Sequence, residues 1–275
     1  MTELEDFNLP TGTFYPTLVE WGRTEPETKS SDQYEPIFRE LPNYSPGDPN
    51  DPSEGFQDHK IIRVDSNTNN FEQVDFECVG VSRFFKESFK TQEAFVDGEL
   101  RDVKIRETDS SDGFWAGNMV FFEGREKIAR RAKSSLQAQF LEKIRISDVT
   151  LFPGIYRKLT EFTGPTTDGI SVDVVERLQL KGTGDISKLQ LFGEDEVLEE
   201  YAESSQNMDT VSHIVGRFNF FGYRITAGIS KDKIRIYGSP TKRGGSDSEE
   251  APLVTLAFLR KITELSLSKQ RDYEV

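Results

Sequence analysis

The chain has 275 residues and a formal net charge of −14; hydrophobic residues make up 35% of it and charged residues 30%. One cysteine excludes an intrachain disulfide, and together with two histidines it leaves too few ligands for a Cys/His zinc site. The sequence shows neither a secretory signal nor an apolar run long enough to span a bilayer, so we expect a cytoplasmic protein without membrane contact.

Residues 1–58 differ in composition from the rest of the chain. They hold 13 acidic residues, three basic residues and eight of the twelve prolines. Proline and self-repelling charge disfavour compaction, so we expect an acidic, proline-rich extended arm. Its aromatic residues are the candidates for docking on a partner: Phe14, Tyr15, Trp21, Tyr34 and Phe38. Three interpretations stay open: the arm packs on its own core, it docks on a neighbouring subunit or mimics the charge of a nucleic acid, or it is disordered.

Residues 59–123 are predicted to form a strand-rich unit, a small antiparallel sheet or half-barrel. Strand patterns occur at 60–65, 72–81, 94–96, 101–106 and 114–123, and the run DSSDG at 109–113 is typical of a turn. Within the second strand, Val74, Phe76 and Cys78 alternate with acidic residues. This alternation places Cys78 on the apolar face, where we expect a buried, unreactive thiol.

Residues 124–275 are predicted to form a mixed sheet-and-helix domain, which gives the whole chain an α+β fold class. Helices are expected at 124–144, 155–162, 194–203, 209–221 and 252–268, with strands at 146–152, 172–181 and 188–192 and a hairpin of 223–228 with 233–237. The prediction of a helix at 209–221 is based on four apolar residues that recur at helical spacing: Val211, Ile214, Val215 and Phe218. A loop is expected at 239–250.

Motifs for enzymatic chemistry are scarce. Glycine-rich phosphate loops and the nucleophile elbow of serine hydrolases are missing, so we predict no cofactor, no metal and no catalytic triad. A histidine-assisted nucleophile would have to use His59, which borders the acidic arm, or His213, which is predicted to lie inside a helix.

One weak catalytic pattern is a carboxylate two residues before a lysine on a strand. Asp102 and Lys104 would share a strand face, with Asp97 and Glu99 just upstream. Metal-dependent nucleases hold Mg²⁺ with carboxylates and use a lysine at the attacking water. Such a pair is common in a chain this rich in charge, and a nuclease also needs a third carboxylate that the sequence does not place.

The helix predicted at 124–144 carries the clearest local charge signal. Residues 125–145 have a net charge of +5 in a chain of −14, and the candidate phosphate contacts are Arg125, Lys127, Arg130, Arg131 and Lys133. Two interpretations stay open: a nucleic-acid or polyanion surface, or a solvated face paired with the acidic arm or the acidic helix at 194–203. If both hold, the arm covers the basic face until a polyanion displaces it.

Three functional hypotheses follow. The first is a non-catalytic binding protein that contacts nucleic acid or another polyanion through the basic helix, in a setting such as genome handling or antiviral defence. The second is a structural subunit of a larger complex or viral particle, with a protein partner or a second copy docked on residues 1–58. The third is a metal-dependent nuclease that uses Asp102 and Lys104.

Overall fold

The computed structural model describes residues 9, 11–21, 34–64, 76–140, 144–151, 169–181, 188–193, 210–242 and 250–273. The helices expected at 155–162 and 194–203 lie outside these residues, as does most of the expected 239–250 loop. The chain divides into two compact units. Thr17–Arg63 and Phe76–Ser147 belong to the first unit, whereas Glu3–Pro16, Val64–Asp75 and Asp148–Val275 belong to the second.

Strands outnumber helices four to one in the part of the chain that is described. The twelve strands are β1 (Thr13–Trp21), β2 (Glu54–Arg63), β3 (Cys78–Val96), β4 (Glu99–Ala116), β5 (Met119–Glu123), β6 (Ile144–Asp148), β7 (Ile170–Lys181), β8 (Lys188–Phe192), β9 (Thr210–Phe220), β10 (Tyr223–Ser230), β11 (Lys233–Ile236) and β12 (Thr241–Lys242). The three helices are α1 (Glu35–Glu40), α2 (Glu126–Gln139) and α3 (Ala251–Tyr273).

The first unit is built on antiparallel strands in the order β2-β3-β4-β5, followed by the C-terminal part of β1. Its core is aromatic: the rings of Phe56 and Phe84 meet edge to face with centroids 5.1 Å apart, and both side chains are fully buried. Buried Trp115 donates from Nε1 to Ser82 Oγ at 3.0 Å. Helix α2 packs on this sheet with one apolar face: Ile128, Ala129, Ala132 and Leu136.

Part of the predicted acidic arm packs into the core of the first unit. Tyr34 and Phe38, at the start and centre of helix α1, are buried. Phe38 meets Trp115 edge to face at 5.8 Å, and the Tyr34 hydroxyl donates to the Gly117 carbonyl at 3.1 Å. Burial of these rings holds α1 on the sheet, since a six-residue helix has little stability of its own.

The second unit has strands in the order β11-β10-β9-β7-β8, with the N-terminal part of β1 paired to β11 and β12 paired to β10. Helix α3 packs on it through Phe258, whose ring lies 5.6 Å from that of Phe218 and 5.7 Å from that of Phe220. The expected helix at 252–268 is therefore confirmed. Its apolar stripe is buried at Leu253, Leu256, Leu259 and Ile262.

The predicted mixed sheet-and-helix C-terminal half is wrong, because antiparallel strands dominate this region as they do the rest of the described chain. The expected helix at 209–221 is strand β9, in register with β7 and β10. Buried Ile214, Phe218 and Phe220 also fit a two-residue period, and β-branched and aromatic residues favour strands. Gly216 lets β9 and β7 approach closely, because a Cβ there would overlap the Val174 carbonyl of β7.

Several predictions for 59–123 need correction in detail. The expected turn at 109–113 lies inside β4, and the expected strands at 94–96 and 101–106 are parts of β3 and β4. Pairing with residues 82–86 of β3 supplies backbone partners that local turn propensity does not take into account. The buried Cys78 thiol is confirmed at 2% exposure. The expected helix at 124–144 is confirmed as α2 over Glu126–Gln139.

Candidate interaction surface

Strands β3 and β4 form a long hairpin in the first unit. Their register runs without a break from Gly80 opposite Trp115 to Val96 opposite Glu99. The two turn residues, Asp97 and Gly98, have φ values of 54° and 82°. Positive φ at both positions defines a type I′ turn, for which Asp-Gly is a preferred sequence and whose twist matches the strands it joins.

The proximal part of the hairpin is organised by a buried carboxylate. Glu87 on β3 is 2% exposed, and its Oε2 accepts hydrogen bonds from the backbone N–H groups of Gly47 at 2.9 Å and Ser53 at 3.2 Å. Its Oε1 accepts from the Tyr44 hydroxyl at 2.8 Å and lies 3.3 Å from Arg106 Nε. Glu87 therefore fixes the 44–53 segment on the hairpin.

The charge on Glu87 is favoured by these donors. Burial alone would raise the pKa of Glu87, but the hydrogen bonds from Tyr44, Ser53 and Gly47 and the positive charge of Arg106 together lower it below its ordinary value. Burial, followed by the hydrogen bond to Glu87, raises the pKa of Tyr44. The carboxylate is thus an ionised structural anchor that joins β3, β4 and the 44–53 segment.

The same segment is tied to β4 at two further points. Arg106 donates from Nη2 to the Gly47 carbonyl at 2.8 Å, and Lys104 donates from Nζ to Asn50 Oδ1 at 3.2 Å. The Tyr44 ring stacks on Phe85 with centroids 5.1 Å apart. One side of the proximal hairpin is therefore covered by residues 44–53.

Apart from the contacts of Lys104 and Arg106 with residues 44–53, the distal part of the hairpin, residues 88–107, is exposed on both faces; we call it the distal ribbon. Pairing of β2 with β3 stops at Lys86, and pairing of β5 with β4 starts only at Gly113. Phe95 and Leu100 face each other across the two strands near the turn, and they are 77% and 56% exposed. Ile105, on the opposite face, is 42% exposed. A two-stranded ribbon is at best marginally stable alone, so exposed apolar rows on it suit a binding element.

The weak nuclease pattern lies on this ribbon. Asp102 and Lys104 share a face of β4, where they are paired with Glu93 and Thr91 of β3, and both are exposed. Among the described residues, no group of three or more potential metal ligands comes together. The structure therefore brings Asp102 beside Glu93 but adds no further carboxylate to the pair.

The basic residues of α2 lie on its outward face, and ion pairs engage the arginines at this helix. Arg125 pairs with Asp109 at 3.0 Å, Arg130 with Glu126 at 2.7 Å and Arg131 with Glu54 at 2.7 Å. Glu54 belongs to the acidic 1–58 segment, so part of the expected pairing between this segment and the basic helix exists. Lys127 is exposed and Lys133 half-buried.

The aromatic docking candidates of residues 1–58 have different environments. Phe14 is fully buried in the second unit, and Tyr34 and Phe38 are buried in the first, so intramolecular packing occupies these three rings. Tyr15 is half-buried, and Trp21 is the last residue of β1. Docking of a partner on this segment stays a prediction.

The two histidines occupy separate places. His213 lies on strand β9, where its Nδ1 is 2.7 Å from Ser230 Oγ on the neighbouring strand β10. His59 is exposed on β2, and its ring centroid lies 5.6 Å from that of Phe38. The His213–Ser230 contact joins two directly opposite residues at the end of the β9–β10 pairing and so stabilises the sheet.

Comparisons with known proteins add no functional assignment. No protein-family model matches the sequence, and no curated protein is significantly similar to it. None of the described helices combines the length and apolar character that crossing a bilayer requires.

The distal ribbon is the surface that sequence reasoning missed. Val103 and Ile105 predicted a strand, and the Asp97-Gly98 pair between alternating runs was a signal for a hairpin turn. No local pattern shows which strands lack neighbours, because that depends on where β2 and β5 end.

Proposed function

We propose that this chain is a non-catalytic assembly protein that docks onto a protein partner through the distal ribbon. The observation that carries the proposal is the opposed pair Phe95 and Leu100, which are largely exposed near the turn of a hairpin that extends beyond its own core. Removing a Phe or Leu side chain from water stabilises a complex by roughly 1.5–3 kcal/mol. Two such side chains at one point have the character of an interface anchor.

The charge of the ribbon favours a protein partner over a polyanion. Residues 88–107 contain four basic and five acidic side chains. Phosphate surfaces need a positive excess, which the ribbon lacks. Mixed charge around an apolar centre is the usual composition of a protein interface. The single cysteine is a buried thiol, which is compatible with a reducing compartment, and we place the complex in the cytoplasm.

The proposal is tested by photo-crosslinking in the cells that make the protein. A photoreactive phenylalanine at Phe95 should give a discrete protein adduct that the additional substitution Leu100→Asp removes. The matched control is the same photoreactive residue at Tyr237, an exposed aromatic of the second unit. No adduct from Phe95, or the same adducts from both positions, would refute docking through the ribbon.

A second candidate function is polyanion binding through α2. The observation in its favour is that Arg125, Lys127, Arg130 and Arg131 are all exposed on the outward side of one helix end. The ion pairs of the three arginines lie at the surface, where such pairs contribute only about 0–1 kcal/mol, so phosphates could displace them.

This candidate is tested by titrating labelled DNA and RNA with the full chain at several salt concentrations. Lys127→Glu with Arg130→Glu should abolish binding, whereas the control Arg224→Glu with Lys231→Glu, which reverses two exposed cations of the second unit, should leave it intact. Salt-dependent binding that only the first variant loses would support this function. Absence of binding at low salt would exclude it.

A further inference from the structure

Within the part of the chain that is described, the outer edge of β4 along the distal ribbon has no neighbouring strand. Among the described residues, β4 pairs with β5 only from Gly113 onward, and no backbone hydrogen bond joins the outer edge between Leu100 and Thr108 to another segment. The side chains from Asp102 to Thr108 are exposed except for half-buried Val103. An open edge of this length is a template for a further strand.

The turn determines which residues offer their backbone to that edge. A two-residue turn makes Val96 and Glu99 a hydrogen-bonded pair, and such pairs alternate along an antiparallel ladder. The odd-numbered residues of the ribbon part of β4 therefore bond to β3. Asp102, Lys104 and Arg106 direct their N–H and C=O groups outward.

The sequence of this edge is complementary to itself when it is reversed. Residues 101–107 read Arg-Asp-Val-Lys-Ile-Arg-Glu. If two copies lie antiparallel with Lys104 opposite Lys104, then Arg101 faces Glu107, Asp102 faces Arg106, and Val103 faces Ile105. Each of these matches occurs twice, because the arrangement has a two-fold axis. The backbone hydrogen-bonding pattern also fits, because the residues that direct their N–H and C=O groups outward in one copy lie opposite such residues in the other copy.

We propose that the outer edge of β4, residues 101–107, pairs with the same edge of a second copy of this chain about a two-fold axis at Lys104. The proposal rests on the proposed function in treating the distal ribbon as an assembly element, and it assigns the second copy as occupant of the edge. The product is a four-stranded antiparallel ribbon with its apolar turn residues at opposite ends.

Charge complementarity selects a second copy as the partner. Four opposite-charge pairs and two apolar pairs lie across the axis, and directly opposed pairs of these kinds stabilise antiparallel strands. Within residues 101–107, Lys104 is the one residue that opposes the pairing, and its ammonium group is drawn towards Asn50 Oδ1 at 3.2 Å. The outer edge of β3 has no such symmetry. Its charged residues in the ribbon are Lys90, which bonds to β4, and Glu93, which directs its backbone groups outward, so the two cannot lie opposite each other in a symmetric antiparallel pair.

The test is sedimentation of the purified full chain over a range of concentrations, with a charge-swap series. The parent chain should show a concentration-dependent dimer. Arg101→Glu and Glu107→Arg each replace two attractive pairs with two repulsive ones, so each should weaken dimerisation by about 10-fold or more. The double variant restores opposite charges across the axis and should recover most of the parent affinity.

Rescue in the double variant can arise only between chains. Arg101 and Glu107 are six residues apart on one strand, about 20 Å, so they do not contact each other within a monomer. Each single variant also loses one intramolecular ion pair, Arg101 with Glu99 or Glu107 with Lys90. Both losses persist in the double variant, so they cannot account for recovery. A monomer at every concentration, equal affinities throughout the series, or a double variant as weak as the singles would overturn the proposal.

A proline pair supplies a second, independent readout. Lys104→Pro removes an outward N–H from the β4 edge, and Thr91→Pro removes the corresponding outward N–H from the β3 edge. Only Lys104→Pro should abolish the dimer, with circular dichroism confirming that both chains fold. Equal loss in both would overturn the assignment to β4.

The inference and the proposed function can fail separately. A purified chain that stays monomeric while Phe95 still crosslinks to another protein would refute the second copy and leave docking intact. A dimer with the expected rescue but no Phe95 adduct would refute docking through the turn and support the edge pairing.

Discussion

The two ends of the β3–β4 hairpin share one uninterrupted ladder but lie in opposite environments. At the proximal end Phe84 is fully buried against Phe56, and Glu87 is surrounded by donors from the 44–53 segment. At the distal end Phe95 is 77% exposed, and neither β2 nor β5 continues alongside. Backbone pairing alone therefore does not decide which part of a strand belongs to the core. The neighbouring strands and the covering segment decide it.

The largest expected effect is a difference in stability between alanine substitutions of two phenylalanines on the same strand. Phe84→Ala should lower the free energy of unfolding by about 3–5 kcal/mol, because it leaves a cavity in the aromatic core. Phe95→Ala should change it by no more than about 0.5 kcal/mol, since the side chain is exposed. Urea denaturation of both variants gives the comparison. Similar losses would mean that the ribbon is part of the folded core.

Glu87→Gln should lower stability at neutral pH and reduce its dependence on pH. The folded-state pKa of Glu87 is lowered, so its contribution is fully present above the ordinary glutamate pKa and is lost as pH falls through the lower folded value. The gap between parent and variant should therefore shrink in acid. Urea midpoints measured from neutral pH downward test this.

Glu123→Gln is the matched control for that experiment. Burial, followed by the negative charge of Asp112, raises the pKa of Glu123. Its ionised form therefore disfavours folding, and the substitution should leave stability unchanged or increase it at neutral pH. If Glu87→Gln lowers stability no more than Glu123→Gln does, the structural role of the donors around Glu87 is refuted.

Hydrogen exchange should report a gradient along the hairpin. Inward-bonded amides of residues 90–105 lie in a ribbon without a core, so they should exchange at least about 10-fold faster than those of residues 80–85. The measurement is exchange of the purified chain at low concentration, where self-association is weak. If the amides of the ribbon become protected at high concentration, the edge of β4 is paired in the self-associated form. Uniform protection along the hairpin at low concentration would contradict the expected gradient.

The smallest effect is expected at the ion pair that joins α2 to β2. Arg131→Ala should cost only about 0.2–1 kcal/mol, because both charged groups are partly exposed. Added salt should reduce the difference from the parent chain. Thermal unfolding at low and high salt tests it. A loss as large as that of Phe84→Ala would show that the helix is held by charge and not by its apolar face.

Sequence patterns predicted elements where local signals and tertiary context agree. Sequence patterns predicted the apolar faces of α2 and α3, the β10–β11 hairpin and buried Cys78. In each case one face of a regular element is buried, and apolar residues recur with the period of that element. The β9 strand was misassigned, since Val211, Ile214, Val215 and Phe218 fit a helical period while Ile214, Phe218 and Phe220 fit a strand. Only pairing with β7 and β10 settles the choice.

The candidate surface was foreseen only in fragments. Asp102 and Lys104 were correctly placed on one face of a strand. The exposure of that strand, however, depends on where the neighbouring strands β2 and β5 end. Residues 109–113 have turn composition, yet they pair with β3 because β3 is long enough to reach them. Exposure of Phe95 and the open β4 edge follow from where other strands end, which no local pattern encodes.

The Asp97-Gly98 turn also determines a length. Val96, the last residue before the turn, lies nine residues beyond Glu87 along β3, which corresponds to about 30 Å of strand. That is close to the diameter of a small domain. A partner held at the turn would thus lie about one small-domain diameter from the Glu87 anchor. Shortening the hairpin by matched residue pairs would bring the partner towards the folded core in steps, while the core and the turn stay unchanged.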